Sequence, residues 1–205
     1  CYRPTRKLPA PAAPARREGP AVLASFNRLS KVNDAVLGTW ARILNAIPEA
    51  TLWLRNARFE DEEVREEFLG RSEAQGLDPK RLRLDGFCDY ESMMRAYENV
   101  DLVLDPFPFS GCTTTCDALW MGVPVVTWPG RSLASRQSGA VLDRLGLQDC
   151  IAGSKHEYVS IATHLAQDRA RLDELRVRLR EDLVRTFDPN RFAGELLATL
   201  RKLVA

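Results

Sequence analysis

The sequence predicts an α/β fold, a Rossmann-like doubly wound parallel sheet. Three observations predict it. Short apolar runs such as "AVLASF", "ATLWLRN", "DLVLD" and "PVVTWP" alternate with helical patterns. The runs lack the polar alternation of a half-exposed strand and suit strands buried on both faces. The connections between them are short, as in βαβ units.

In order, residues 21–26 read as a strand and 33–47 as a helix. The apolar positions Val36, Leu37, Trp40, Ile43, Leu44 and Ile47 of that helix recur at three- and four-residue spacing. A second strand spans 50–56. The segment 60–76 reads as a helix with an acidic first turn and Gly76 near its end. A strand at 81–87, a helix at 90–100 and a strand at 101–105 follow. A helix from about Thr113 to Met121 leads to a strand at 124–129. "SLASRQSGAVLDRLG" reads as one helix and "CIAG" as a short strand. From about 155 the chain turns helical, at 155–168, 169–186 and 189–204. Residues 1–20 hold five of the twelve prolines and read as an extended connector, so the division expected is a linker over 1–20 and one lobe over 21–205.

Composition narrows the function classes. The 205 residues carry 29 Lys and Arg against 28 Asp and Glu, a formal charge of +1, which points away from nucleic acid as a partner. No apolar run is long enough for a bilayer span, so a soluble protein without a membrane partner is expected. Five cysteines, at 1, 88, 112, 116 and 150, contain no CxxC and suit reduced thiols in the cytoplasm. Cys112 and Cys116 lie four apart, but no neighbouring set completes a tetrahedral site, so no metal is expected. The chain begins with Cys1, which suggests a piece of a longer polypeptide.

In doubly wound sheets, ligands bind beyond the carboxyl ends of the strands. Two polar clusters fall there. The first follows "DLVLD": Pro106, Pro108 and Gly111 lead into a helix that begins Thr113, Thr114, Thr115. The first amides of a helix lack intrahelical partners and the dipole is positive there, so an anion site can form. Gly111 would let the backbone approach closely, the threonines would add hydroxyl donors, and Asp117 would lie within reach of a ribose. Helix capping by the threonines is the structural alternative, and the residues alone leave both open. The second cluster is "SFNRLSKVN", with Asn27, Arg28, Ser30 and Lys31 after the first strand. Lys31 is placed to meet a phosphate, or else is an ordinary loop lysine. "GRSLASRQ" offers Arg131, Ser132, Ser135 and Arg136 near the same edge, either for sugar or phosphate contact or as a capped helix start. The four tryptophans read as packing residues, and His156 and His164 as surface or helix-packing residues.

"CYRPTRKLPAP", "SFNRLSKVN", "DLVLDPFPFSGCTTTCDALWMGVPVVTWPG" and "RSLASRQSGAVLDRLGL" followed by "EYVSIATHLAQDRARLDELR" appear in one order over nearly the whole chain. Together they make it resemble the C-terminal half of the catalytic region of O-GlcNAc transferases, glycosyltransferase family 41, of bacterial type. The resemblance implies the C-terminal lobe of a two-lobed GT-B glycosyltransferase that holds UDP-N-acetylglucosamine. The sugar would pass to Ser or Thr of a protein acceptor, with inversion and without a metal or other cofactor. Lys31 would meet the diphosphate and support the leaving UDP, and Arg28 falls where the family has Gln. Thr113 and Thr114 would cradle phosphate, and Asp117 would bond the ribose. "FCDYESMMR" would pass the uracil and ribose, with backbone contacts from Phe87 or Cys88.

Cys112 and Met93 stand where the animal enzymes have His, and Tyr90 where they have Lys. The missing N-terminal lobe would be a partner in catalysis, because no general base is evident here. The family also implies upstream TPR-like repeats. The alternatives are a non-catalytic scaffold lobe, and the same fold with another nucleotide sugar or an Asn acceptor.

Overall fold

The computed structural model describes Tyr2, Pro4 and residues 19–204. Most of the proline-rich 1–20 connector, including Cys1, lies outside the described residues. Five strands form one parallel sheet: β1 (Val22–Ser25), β2 (Thr51–Arg55), β3 (Leu82–Asp85), β4 (Leu102–Leu104) and β5 (Val125–Val126), in the order β3-β2-β1-β4-β5. The register is continuous: Ala24 sits beside Trp53 on one side and Val103 on the other, and Leu104 beside Val126. The helices are α1 (Asp34–Ala46), α2 (Glu62–Ala74), α3 (Tyr90–Ala96), α4 (Thr113–Trp120), α5 (Gln137–Arg144), α6 (Lys155–Gln167), α7 (Arg169–Thr186) and α8 (Pro189–Val204). No helix among the described residues is long and apolar enough to cross a membrane.

Local chemistry sets the helix starts. The Asn33 side chain accepts from the Val36 amide at 3.0 Å and caps α1. The buried face of α1 holds Val36, Leu37, Trp40, Ile43 and Leu44, the spacing read from the sequence. Asp61 caps α2 by accepting from the Glu63 and Val64 amides, with Glu62 and Glu63 against the positive end of the dipole. That helix buries only Phe68 and Ser72. Gly76, at φ +86°, takes the left-handed conformation that reverses the chain after it.

Three expected elements differ in detail. The helix expected over 90–100 is α3 followed by a 3-10 turn at Tyr97–Asn99. "SLASRQSGAVLDRLG" divides into a 3-10 turn at Leu133–Ser135 and then α5, because Ser132 and Ser135 cap each other reciprocally. "CIAG" contributes a lone parallel bridge between Ile151 and Thr127. Of the tryptophans, Trp40 and Trp53 are buried and Trp120 and Trp128 partly buried.

The chain lays down β1, β2 and β3 in one direction, then crosses back to place β4 on the other side of β1. With right-handed crossovers, α1 and α2 cover one face and α3 and α4 the other. At the β1/β4 boundary the two following loops diverge to opposite faces and leave a crevice beyond the strand ends. Leu23, Leu102 and Leu104 are fully buried where these strands meet. Truncation of Leu104 to Ala is expected to destabilise the fold by about 2–5 kcal/mol in urea unfolding. A loss under about 1 kcal/mol would contradict this packing.

Candidate functional site

The two loops at the switch point are joined by side chains from both. Lys31 ends a 3-10 turn after β1, and its Nζ donates to the Ser110 carbonyl at 2.7 Å. The same ammonium lies 4.4 Å from the centre of the Phe109 ring, a cation–π contact. Thr114 Oγ1 donates to Asn27 Oδ1 at 3.1 Å, and Asn33 Nδ2 donates to the Phe107 carbonyl at 3.1 Å. Burial lowers the Lys31 pKa, and the charge of Arg28 lowers it further. Asp105 and Cys112 act in the opposite sense.

Asp105, at the end of β4, organises the second loop. It is 1% exposed. Its Oδ1 accepts from the Gly111 amide at 2.6 Å, and its Oδ2 accepts from Thr127 Oγ1 at 2.7 Å. Its carbonyl accepts from the Tyr158 hydroxyl at 3.0 Å, and that hydroxyl in turn accepts from Trp40 Nε1. Burial pushes the Asp105 carboxyl up to about 6, against the opposing bonds from Thr127, Gly111 and Ser138 and the charge of Lys31.

The residues named from the sequence separate into groups. Asn27, Lys31, Cys112, Thr113 and Thr114 meet around the mouth of α4, with Arg28 exposed beside them. The N-cap residue of α4 is Cys112, and no side chain among the described residues caps the helix, so the threonines are not caps. Among the described residues no side-chain oxygen caps the first-turn amides, which is the condition for an anion site. Thr115 instead turns inward: its hydroxyl shares a 2.7 Å hydrogen bond with Ser138. Gly111 is required by the chain itself. A Cβ there would fall 2.5 Å from Thr115 Oγ1 and 2.9 Å from both Asp105 Oδ1 and Thr114 Oγ1.

The third cluster lies along α3 and α4. Asp117 is buried, which raises its pKa, and its Oδ1 accepts from the hydroxyls of Tyr90, at 2.9 Å, and Tyr2. Burial and the Asp117 carboxylate also raise the Tyr90 pKa. Phe87 is 70% exposed, Cys88 is half-buried, and Met93 packs against the hydrophobic core. Ser132 and Ser135 are engaged in their capping box, while Arg131 and Arg136 are exposed. His156 and His164 are exposed on α6, and the His164 ring meets the Ser160 carbonyl. Among the described residues, no three of His, Cys, Asp and Glu converge as a metal-binding group.

Sequence reasoning missed Asp105, Tyr2, Phe109 and Ser138. The signal for Asp105 was present as a carboxylate closing an otherwise apolar strand run. Nothing in sequence spacing linked Tyr2 to Asp117, 115 residues away.

An all-parallel, doubly wound lobe with an uncapped helix mouth and a lysine at its switch point defines the class of open α/β sheets whose ligands bind beyond the carboxyl ends of the strands. The comparisons narrow the class. The sequence profile of glycosyl transferase family 41 matches residues 15–195, and the chain belongs to that family. The Petunia hybrida SPINDLY protein, named a probable UDP-N-acetylglucosamine–peptide N-acetylglucosaminyltransferase, is 38% identical over 207 residues. The match takes in 99% of this chain and 22% of that protein. Among solved structures, a variant of the Thermobaculum terrenum O-GlcNAc transferase superposes with a TM-score of 0.85 at 36% identity, over 95% of this chain and 38% of that one. Sucrose-phosphate synthase from Thermosynechococcus elongatus, at TM-score 0.63 and 17% identity over 91% of this chain and 46% of its own, shares the fold. The architecture is that of a GT-B glycosyltransferase lobe, and the chain spans between 22% and 46% of the length of these relatives.

A carboxyl whose folded pKa is raised takes up its proton first in the native state, so it favours folding most in acid. For Asp105, moved from 3.8 to about 6, that contribution is lost as pH rises through this interval and is flat above it. The stability of the wild type relative to Asp105→Asn is therefore expected to fall by on the order of 2–3 kcal/mol between pH ~4 and pH ~6.5. Denaturant unfolding across that range measures it. A pH-independent difference would show that Asp105 does not titrate there.

Proposed function

We propose that this chain is the nucleotide-sugar-binding lobe of an inverting protein O-glycosyltransferase, which takes a UDP-N-acetylglucosamine-type donor and serves Ser or Thr hydroxyls. The observation that carries the reading is Lys31, held by the Ser110 carbonyl at the uncapped mouth of α4, in a lobe of family 41. Departure of the sugar leaves negative charge on the diphosphate. A preorganised ammonium and helix amides stabilise that charge as it develops. Lys31 is the catalytic residue of this lobe in that sense.

A phosphate oxygen would take the place of the Ser110 carbonyl on Nζ, with Thr113, Thr114 and the first amides of α4 around it. In this reading Lys31 and the helix supply the positive charge, and no metal or other cofactor is needed. Asp117 and Tyr90 lie on the ribose side, with Phe87, Cys88 and Met93 bordering the base. The remaining partners are the N-terminal lobe, which would supply the proton acceptor, and a protein acceptor. The balanced charge argues against nucleic acid as a partner, and no helix among the described residues is long and apolar enough to cross a membrane. The free thiols of Cys88, Cys112, Cys116 and Cys150 support a cytoplasmic setting.

A second reading keeps the fold and the phosphate mouth but changes the base. The exposed thiol at Cys112 and the phenol at Tyr90 carry no positive charge at neutral pH, where the resemblance implies His and Lys. Calorimetric titration with UDP, beside the other nucleoside diphosphates, separates the two readings. Lys31→Ala is expected to weaken nucleotide binding by about tenfold to a hundredfold through loss of a charge-assisted contact. Thr114→Val is expected to weaken it less, by about threefold to tenfold. Equal affinity in wild type and Lys31→Ala would overturn the phosphate role of Lys31. Failure of the longer protein to bind any of the nucleotides would favour a scaffold lobe.

A further inference from the structure

Asp117 is 2% exposed, and one oxygen of its carboxylate receives both phenols. Burial raises its pKa, and these two hydroxyls oppose the rise. The two phenols are not equivalent. Tyr90 opens α3, whose start is fixed by the Asp89 side chain accepting from the Ser92 amide at 2.8 Å. Tyr2 belongs to no helix or strand; besides Asp117 its hydroxyl meets that of Tyr90, and its ring meets the edge of Trp120, with ring centroids 6.1 Å apart.

The nucleotide reading asks Asp117 to accept from a ribose hydroxyl, and as found it has almost no surface to offer one. The burial and the role are compatible when one hydroxyl leaves as another arrives. A phenol and a ribose hydroxyl are both single O–H donors, so the exchange leaves the carboxylate equally satisfied. We propose that Tyr2 is an exchangeable occupant of the ribose end of the site: a nucleotide enters by placing a ribose hydroxyl where the Tyr2 phenol sits on Asp117, and Tyr90 remains as the second donor.

The proposal rests on the nucleotide reading of the site. It makes Tyr2 a specificity-determining residue. A ligand bearing the ribose diol can displace it, and one lacking the diol cannot. It also lowers the apparent affinity for every diol ligand by the fraction of molecules in which Tyr2 is in place.

Calorimetric titration of the chain and of Tyr2→Phe with UDP and with 2′,3′-dideoxy-UDP tests this, with thermal unfolding to show that both are folded and Lys31→Ala as a control. Removing the competing hydroxyl is expected to tighten UDP binding by about tenfold, the worth of one hydrogen bond to a carboxylate. Binding of the dideoxy analogue is expected to stay unchanged. UDP affinity that is unchanged or lower in Tyr2→Phe overturns the proposal, as does equal tightening of both ligands. In those cases, UDP binding that depends on Lys31 leaves the nucleotide reading standing. If UDP binds neither protein, both readings fall.

Discussion

Asp105 ties the candidate site to the fold. One carboxylate, withdrawn from water at the end of β4, holds the Gly111 amide with one oxygen and the Thr127 hydroxyl with the other. A buried charge is tolerated only when its lone pairs are matched, and here the matching groups come from the loop before α4 and from the residue after β5. The loop from Pro106 to Cys112 is therefore drawn back over the strand ends. The N-terminus of α4 consequently faces the crevice beside β1. The absence of a Cβ at residue 111 follows from the same contact, because Asp105, Thr114 and Thr115 occupy the space around it.

The electrostatics of the mouth follow from this placement. The field of Asp105 supports the charged form of Lys31 against the burial that lowers its pKa. Among the described residues, Lys31 meets a neutral carbonyl and a ring face at hydrogen-bond or cation–π range and no carboxylate at ion-pair range. A partly desolvated ammonium beside uncapped amides gains most from an anion, and the gain grows as that anion gathers charge. In the proposed function, such a mouth would favour the departing diphosphate over the intact donor, the differential binding that a transferase requires.

Much of the fold was legible because it rests on local patterns. The spacing of Val36, Leu37, Trp40, Ile43 and Leu44 and the apolar runs of β1, β2 and β4 specify elements that burial then confirms. Boundaries failed where a side chain intervened: the Ser132–Ser135 box interrupts what periodicity reads as one helix. The site was legible in composition but not in orientation. Three consecutive threonines look alike in sequence, yet in the first turn of a helix they point different ways. Thr114 turns to Asn27 and Thr115 into the interior with Ser138. Gly111 was named for a ligand's approach, and its hydrogen becomes necessary through contacts with its own chain. The Tyr2–Asp117 contact depends on tertiary structure alone, and no period or spacing reports it.

The central claim is that the diphosphate of a nucleotide lies between Lys31 and the first turn of α4. A crystal structure of the chain with UDP tests it most directly. The account predicts a phosphate oxygen within about 3 Å of Lys31 Nζ, in place of the Ser110 carbonyl, with further oxygens on the amides of Thr113 and Thr114. A nucleotide found with its phosphates turned away from α4, and Lys31 still on Ser110, would contradict it.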